Sequence, residues 1–310
     1  MTSSTATSST GTAATGAAPM STTGAPVTHF VNAGQYRACY VEGGHDDAGG
    51  SAKKPRAILL HGWIASHQLY RKCWSGLGEF LHYRAADLIG FGDSDKPDPK
   101  TAAYNPRWYG EQLEALADGM GWDKFVLIAQ SMGGLGAVEF AIAHPERVEK
   151  LILIDSVGIA RPPPVLGKIL QLPGIGAFLF NLLGGTRKSL GDFLKNDVYF
   201  VKSVFDEKVL DDMLRIINGP GGKAAAYATM MRMTAPSSVA AFTPRFKELK
   251  VPVRMIWGEH DPLFPLVECG QVMQKLIPGA TLDVIEGSGH EPPVEAPEAF
   301  LKTLKKLVQS

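Results

Sequence analysis

The sequence predicts an α/β protein: a mostly parallel central sheet with helices on both faces, and a helical insertion after the sixth strand. Three observations predict it. Short continuous apolar runs such as Ala57–Leu60, Phe125–Ala129 and Leu151–Ile154 read as strands buried on both faces. They alternate with helical stretches, the rhythm of strand–helix–strand units. From about Val157 to Glu248 that rhythm stops, and the pattern is helical with Pro and Gly punctuation.

Taken in order, Val27–Val31 and Tyr36–Val41 flank Asn32-Ala33-Gly34-Gln35 and predict a hairpin, with Gly34 free to take a positive φ. A Gly/Ser/Lys loop over Gly43–Lys54 follows. Ala57–Leu60 is a strand ending in His61-Gly62, and Arg84–Leu88 a strand ending in Ile89-Gly90-Phe91-Gly92. A helix is expected over Pro106–Met120, a strand over Phe125–Ala129, and a helix over Met132–Ala143 stopped by His144-Pro145. Leu151–Ile154 closes the first half. After the insertion come strands at Val251–Trp257 and Thr281–Ile285, a helix near Val267–Leu276 between them, and a last helix over Pro297–Val308. The expected organisation is a Ser/Thr/Ala-rich leader over 1–26, a sheet core from 27–156 and 249–310, and a helical cap over 157–248.

Composition narrows the function. The 310 residues are 45% hydrophobic and 20% charged, enough for a packed core. Lys plus Arg and Asp plus Glu are 31 each, so the long-range attraction of a nucleic-acid binder is missing. Three cysteines, Cys39, Cys73 and Cys269, lack zinc or redox spacing and read as reduced core residues. No metal or other cofactor is expected. A span of roughly 18 uninterrupted apolar residues is absent. The nearest, Val165–Leu183, is broken by Lys168, Gln171, Pro173 and Gly174. Met1–Tyr36 holds no Asp, Glu, Lys or Arg, so disorder is expected to about Pro26. That segment lacks the cationic start and apolar centre of a secretory signal, which makes cytoplasmic the default location.

The chemistry concentrates at strand ends. Ala129-Gln130-Ser131-Met132-Gly133-Gly134 follows an apolar strand and opens an apolar helix, the setting in which a tight turn lifts a serine hydroxyl above a sheet. Ala129 stands where the Gly-x-Ser-x-Gly pattern has its first Gly. A nucleophilic serine needs a base, and His290 in Gly289-His290-Glu291-Pro292 lies just after a strand. His61 competes, but its place before Gly62 suggests a loop role. Asp261, after Trp257-Gly258-Glu259-His260, is the candidate to orient the base. Asp155 is its rival and reads as a cap, while Asp87, Asp93 and Asp95 read as turn residues. The backbone N–H groups of Trp63 and Met132 are the natural pair to hold an oxyanion.

These pieces, with Asp87-Leu88-Ile89-Gly90-Phe91-Gly92-Asp93-Ser94-Asp95-Lys96-Pro97, resemble the α/β-hydrolase superfamily, in particular members with a helical cap after the sixth strand. The likeness spans about Ala57–Pro297. It implies a Ser131–Asp261–His290 triad cleaving the carboxylic ester of a small hydrophobic substrate through an acyl-enzyme. Epoxide hydrolases and haloalkane dehalogenases of this fold carry Asp at the elbow. Carbon–carbon bond hydrolases often carry Asn before the serine, where this chain has Gln130. Carbon–carbon cleavage, perhydrolysis and a ligand receptor with incidental turnover are the alternative functions. Cap residues near Phe178 and Met230 are candidates for substrate contact.

Overall fold

The computed structural model describes residues 25–46, 53–162, 165–172 and 174–310; the expected leader through residue 24, and part of the loop over Gly43–Lys54, lie outside the described residues. The chain opens with β1 (Val27–Ala33) and β2 (Tyr36–Gly43), paired antiparallel around a turn in which Gly34 takes φ +61°. Then come β3 (Arg56–Leu60), α1 (Trp74–Phe80), β4 (His82–Ala86), α2 (Pro106–Gly119), β5 (Phe125–Gln130), α3 (Gly133–Ala143) and β6 (Val148–Ile154). The sheet resumes much later with β7 (Val253–Gly258) and β8 (Thr281–Ile285). Its order is β1-β2-β4-β3-β5-β6-β7-β8, parallel from β4 onward. All six residues of β5 are buried, as a central strand covered on both faces requires.

Between β6 and β7 the described elements are helical: α4 (Val165–Leu170), α5 (Ile175–Leu183), α6 (Arg187–Phe193), α7 (Glu207–Asn218), α8 (Gly222–Thr229) and α9 (Pro236–Phe242). After β7 come α10 (Gln271–Leu276), α11 (Pro292–Glu295) and α12 (Pro297–Gln309). Helix α2 starts where its sequence says it should. Asn105 accepts the Trp108 N–H at 2.9 Å, and Pro106 sits at the first helical position, where a missing N–H is harmless. Helix α3 then crosses α2 closely, because a Cβ on Gly136 would lie 2.8 Å from the Tyr109 Cβ.

Two of the departures from expectation fall between β3 and α2. The strand expected over Arg84–Leu88 is β4 at His82–Ala86, two residues earlier, because it pairs in register with Arg56–Leu60 of β3. Helix α1 has no counterpart in the sequence reading; Gly76 and Gly78 inside it mask its periodicity. Cys39, Cys73 and Cys269 are buried and unpaired, and burial pushes the Cys39 and Cys73 thiols up to about 12. No helix among the described residues is long and apolar enough to cross a membrane.

Candidate active site

The parallel strands β3, β5, β6 and β7 end at one edge of the sheet, and the chemistry-bearing residues follow those ends. Ser131 comes directly after β5 with φ +51°, a left-handed conformation that L-residues adopt only when the surroundings enforce it. Its backbone is fixed from β6: the Ser131 N–H donates to the Ile154 carbonyl at 2.9 Å, and its own carbonyl accepts from Val157 N–H at 3.2 Å. The turn therefore aims the hydroxyl out of the sheet edge.

His290 and Asp261 meet it there. His290 Nε2 lies 3.0 Å from Ser131 Oγ, and its Nδ1 lies 2.8 Å from Asp261 Oδ2. The other Asp261 oxygen accepts the Leu263 and Phe264 N–H groups at 2.8 and 2.9 Å, so this carboxylate is held from both sides. All three residues are buried. Burial opposes charging of the His290 ring, but the Asp261 charge and hydrogen bond, with Glu291 and Glu295 beyond, outweigh it and raise the pKa. An imidazole so placed can take the hydroxyl proton and return it.

His61 is accounted for differently. Its Nε2 accepts the Leu88 N–H at 3.0 Å and its Nδ1 donates to the Gly62 carbonyl at 2.7 Å, so both ring nitrogens are committed to loop backbone. Burial lowers its pKa and keeps it neutral. Next to it, Gly62 leaves room at the hydroxyl: a Cβ there would lie 3.0 Å from Ser131 Cβ and 2.4 Å from Gln130 Oε1. The Trp63 and Met132 backbone N–H groups make no hydrogen bond among the described residues. The Trp63 side chain binds the Ala226 carbonyl at 2.9 Å and packs on Phe180 and Phe193, joining this loop to the helical segment.

Two acids differ from their sequence reading. Asp87 is no mere turn residue. It is buried, receives the His67 and Asp93 N–H groups, and pairs with the His67 ring at 2.9 Å. Asp155 is no cap either. It ends β6 with φ +42°, fully buried, and its Oδ1 accepts the Gly258 N–H at 2.8 Å. Asp155, Asp261 and His290 each place a polar atom within 4.8 Å of the others. Burial and the Asp261 charge push the Asp155 carboxyl well above the usual range.

Glu291 and Glu295 escaped the sequence reading. Glu295 accepts four backbone N–H groups, those of Gly289, Phe200, Val201 and Glu291, at 2.9–3.2 Å. With His290 N–H donating to Val198 at 3.0 Å, it stitches the His290 loop to residues 198–201. An acid one turn beyond a Gly-His-x-Pro loop was the available signal. Glu291 meets the Tyr199 hydroxyl at 3.1 Å, and burial pushes it up to about 7.

Above the hydroxyl lies a cavity of about 570 Å³, walled by Leu194, Val209, Met213, Met230 and Val239 and reaching Ser131 and His290. Met230 is among its lining residues. Phe178 is not: it is 67% exposed on the outer face of α5, because the inner face of that helix is taken by Phe180 against Trp63 and Tyr227. A separate group of Glu42, His45 and His82 has metal-ligand spacing, but Arg84 already pairs with Glu42 at 3.0 Å.

The fold and this edge define an α/β hydrolase. The model of the α/β-hydrolase fold family matches residues 55–297, most of the chain, and the chain belongs to that family. It is 25% identical over 261 residues to a pimeloyl-[acyl-carrier protein] methyl ester esterase of Aeromonas hydrophila, covering 82% of this chain and 95% of the relative. It is 26% identical over 264 residues to a soluble epoxide hydrolase of a Corynebacterium, covering 81% and 88%. Among solved structures, Cfl2 of Burkholderia cenocepacia superposes with a TM-score of 0.77 at 24% identity, over 91% of this chain and 95% of that one.

Replacing Glu295 with Ala should lower stability by about 2–4 kcal/mol, since four N–H groups lose their acceptor. Urea unfolding of the two proteins measures it, and an unchanged midpoint would contradict the stitching role.

Proposed function

We propose that this hydrolase cleaves carboxylic esters of small hydrophobic compounds through an acyl-enzyme on Ser131. The observation that carries the reading is the line of contacts Ser131–His290–Asp261, at 3.0 and 2.8 Å, opening on an apolar cavity. In this reading His290 takes the Ser131 proton as the hydroxyl oxygen attacks the acyl carbon. Trp63 and Met132 N–H hold the oxyanion, and His290 hands the proton to the departing alcohol. Water, activated by the same imidazole, then releases the acid and restores the serine. Asp261 keeps the ring oriented and offsets its transient charge.

The helical segment over 157–248 acts here as a cap that sets substrate choice, with Met230 among the contacts. The esterase relative agrees in bond type. The epoxide hydrolase relative does not weigh equally, since the resemblance puts Asp at the elbow of such enzymes and this chain has Ser131.

Three outcomes are expected. Ser131→Ala should reduce turnover of a p-nitrophenyl ester by at least about a thousandfold, with the fold retained by circular dichroism. Retained turnover would refute the nucleophile. Hexanoyl and octanoyl esters should be cleaved with higher kcat/KM than acetyl, because the apolar walls reward longer chains; the reverse order would count against the cavity as acyl site. The base must be neutral, so kcat/KM should rise with pH through a His290 pKa above its ordinary value. Asp261, Glu291 and Glu295 all face that ring and raise its pKa. Glu291→Gln removes one negative neighbour and should move the acid limb to lower pH; a limb that stays put or moves up would refute this coupling.

A further inference from the structure

Helices α4 and α5 present an apolar surface that nothing among the described residues covers. Ile175, Phe178 and Leu182 recur at the i, i+3, i+7 spacing of one helix face and are 54%, 67% and 60% exposed. Leu183, Leu172 and Ile169 extend the stripe and are also exposed. This is a patch and not a scatter of single side chains, and monomeric proteins seldom leave one without use.

The surrounding charge points to the occupant. Between Ser156 and Gly191 the chain holds no Asp or Glu, while Arg161, Lys168, Arg187 and Lys188 supply cations. Arg161 and Arg187 are paired with carboxylates of neighbouring elements, and Lys188 with Asp192 of its own helix. Exposed Lys168 on α4 has no ion pair among the described residues, and Lys223 lies against the Asn181 carbonyl of α5. A projecting apolar stripe flanked by lysines and free of carboxylates suits a lipid surface: acyl chains accept the stripe and phosphate headgroups meet the ammonium groups. No described helix is long and apolar enough to cross a membrane.

The patch also abuts the site. Gly167 of α4, and Gln171 just beyond it, line the cavity that reaches Ser131, while Ile169 and Leu172 beside them face outward. We infer that the α4–α5 pair docks on a phospholipid surface and sets the cavity mouth against it, so that the ester substrates are lipid-dissolved. The substrate half of this inference rests on the esterase reading; the docking half does not.

The test is co-sedimentation of the full chain with phosphatidylcholine–phosphatidylglycerol vesicles, beside the double variant Ile175→Gln/Leu182→Gln. Wild type should pellet with the vesicles, and the variant's partitioning should fall by at least about tenfold, as expected for two large apolar side chains made polar. The variant should keep its Tm and its turnover of a water-soluble butyrate ester, while losing turnover of an ester carried in the vesicles. Lys168→Gln/Lys223→Gln should weaken binding to the anionic vesicles. Wild type remaining in the supernatant, or a variant that pellets equally, would overturn the inference. So would a lipid-free dimer that Ile175→Gln/Leu182→Gln dissociates, since a second copy would then be the occupant. Ser131→Ala separates the two readings: it should still pellet, and if it kept soluble-ester turnover the esterase reading alone would fail.

Discussion

Everything at the site depends on Ser131 being held with a positive φ at the end of the central strand. That conformation is costly for a residue with a side chain, by about 1–3 kcal/mol, and persists only where neighbours over-determine it. Here the neighbours are backbone groups: the Ile154 carbonyl takes the Ser131 N–H, and Val157 N–H takes its carbonyl. A free turn would let the hydroxyl relax into the helix start. Pinned from β6, it stands 3.0 Å from an imidazole that enters from a loop 159 residues away.

The second constraint is electrostatic. Four carboxyl groups, Asp155, Asp261, Glu291 and Glu295, crowd one imidazole, and like charges at such range repel strongly in a buried setting. The fold resolves this by unequal treatment. Asp261 and Glu295 are surrounded by N–H donors, whereas Asp155 has one and Glu291 meets a tyrosine hydroxyl. Burial raises Asp155 and Glu291, the two acids with few donors.

The helices between β6 and β7 are joined to this edge rather than resting loosely above it. Trp63 bonds Ala226, Arg71 pairs with Asp206, and Glu295 gathers the backbone of residues 200 and 201. The loops carrying the candidate oxyanion donors and the imidazole are thus anchored in the same segment that walls the cavity.

The amino-acid sequence by itself determined the strand–helix rhythm, the ends of most strands, and which serine, imidazole and carboxylate to bring together. Those signals are local, because an apolar run followed by Gly and a polar residue marks a strand end wherever it occurs. Periodicity was a poorer guide at β4, whose limits follow its pairing with β3, and at α1, where Gly76 and Gly78 interrupt the pattern. Only the tertiary structure decided that Asp155 faces Asp261, that Glu295 stitches two distant loops, and that Phe178 looks outward while Phe180 looks in. Burial, the side of a helix that meets a neighbour, and the number of N–H groups reaching a carboxylate are set by segments far apart in the chain. No local pattern carries them.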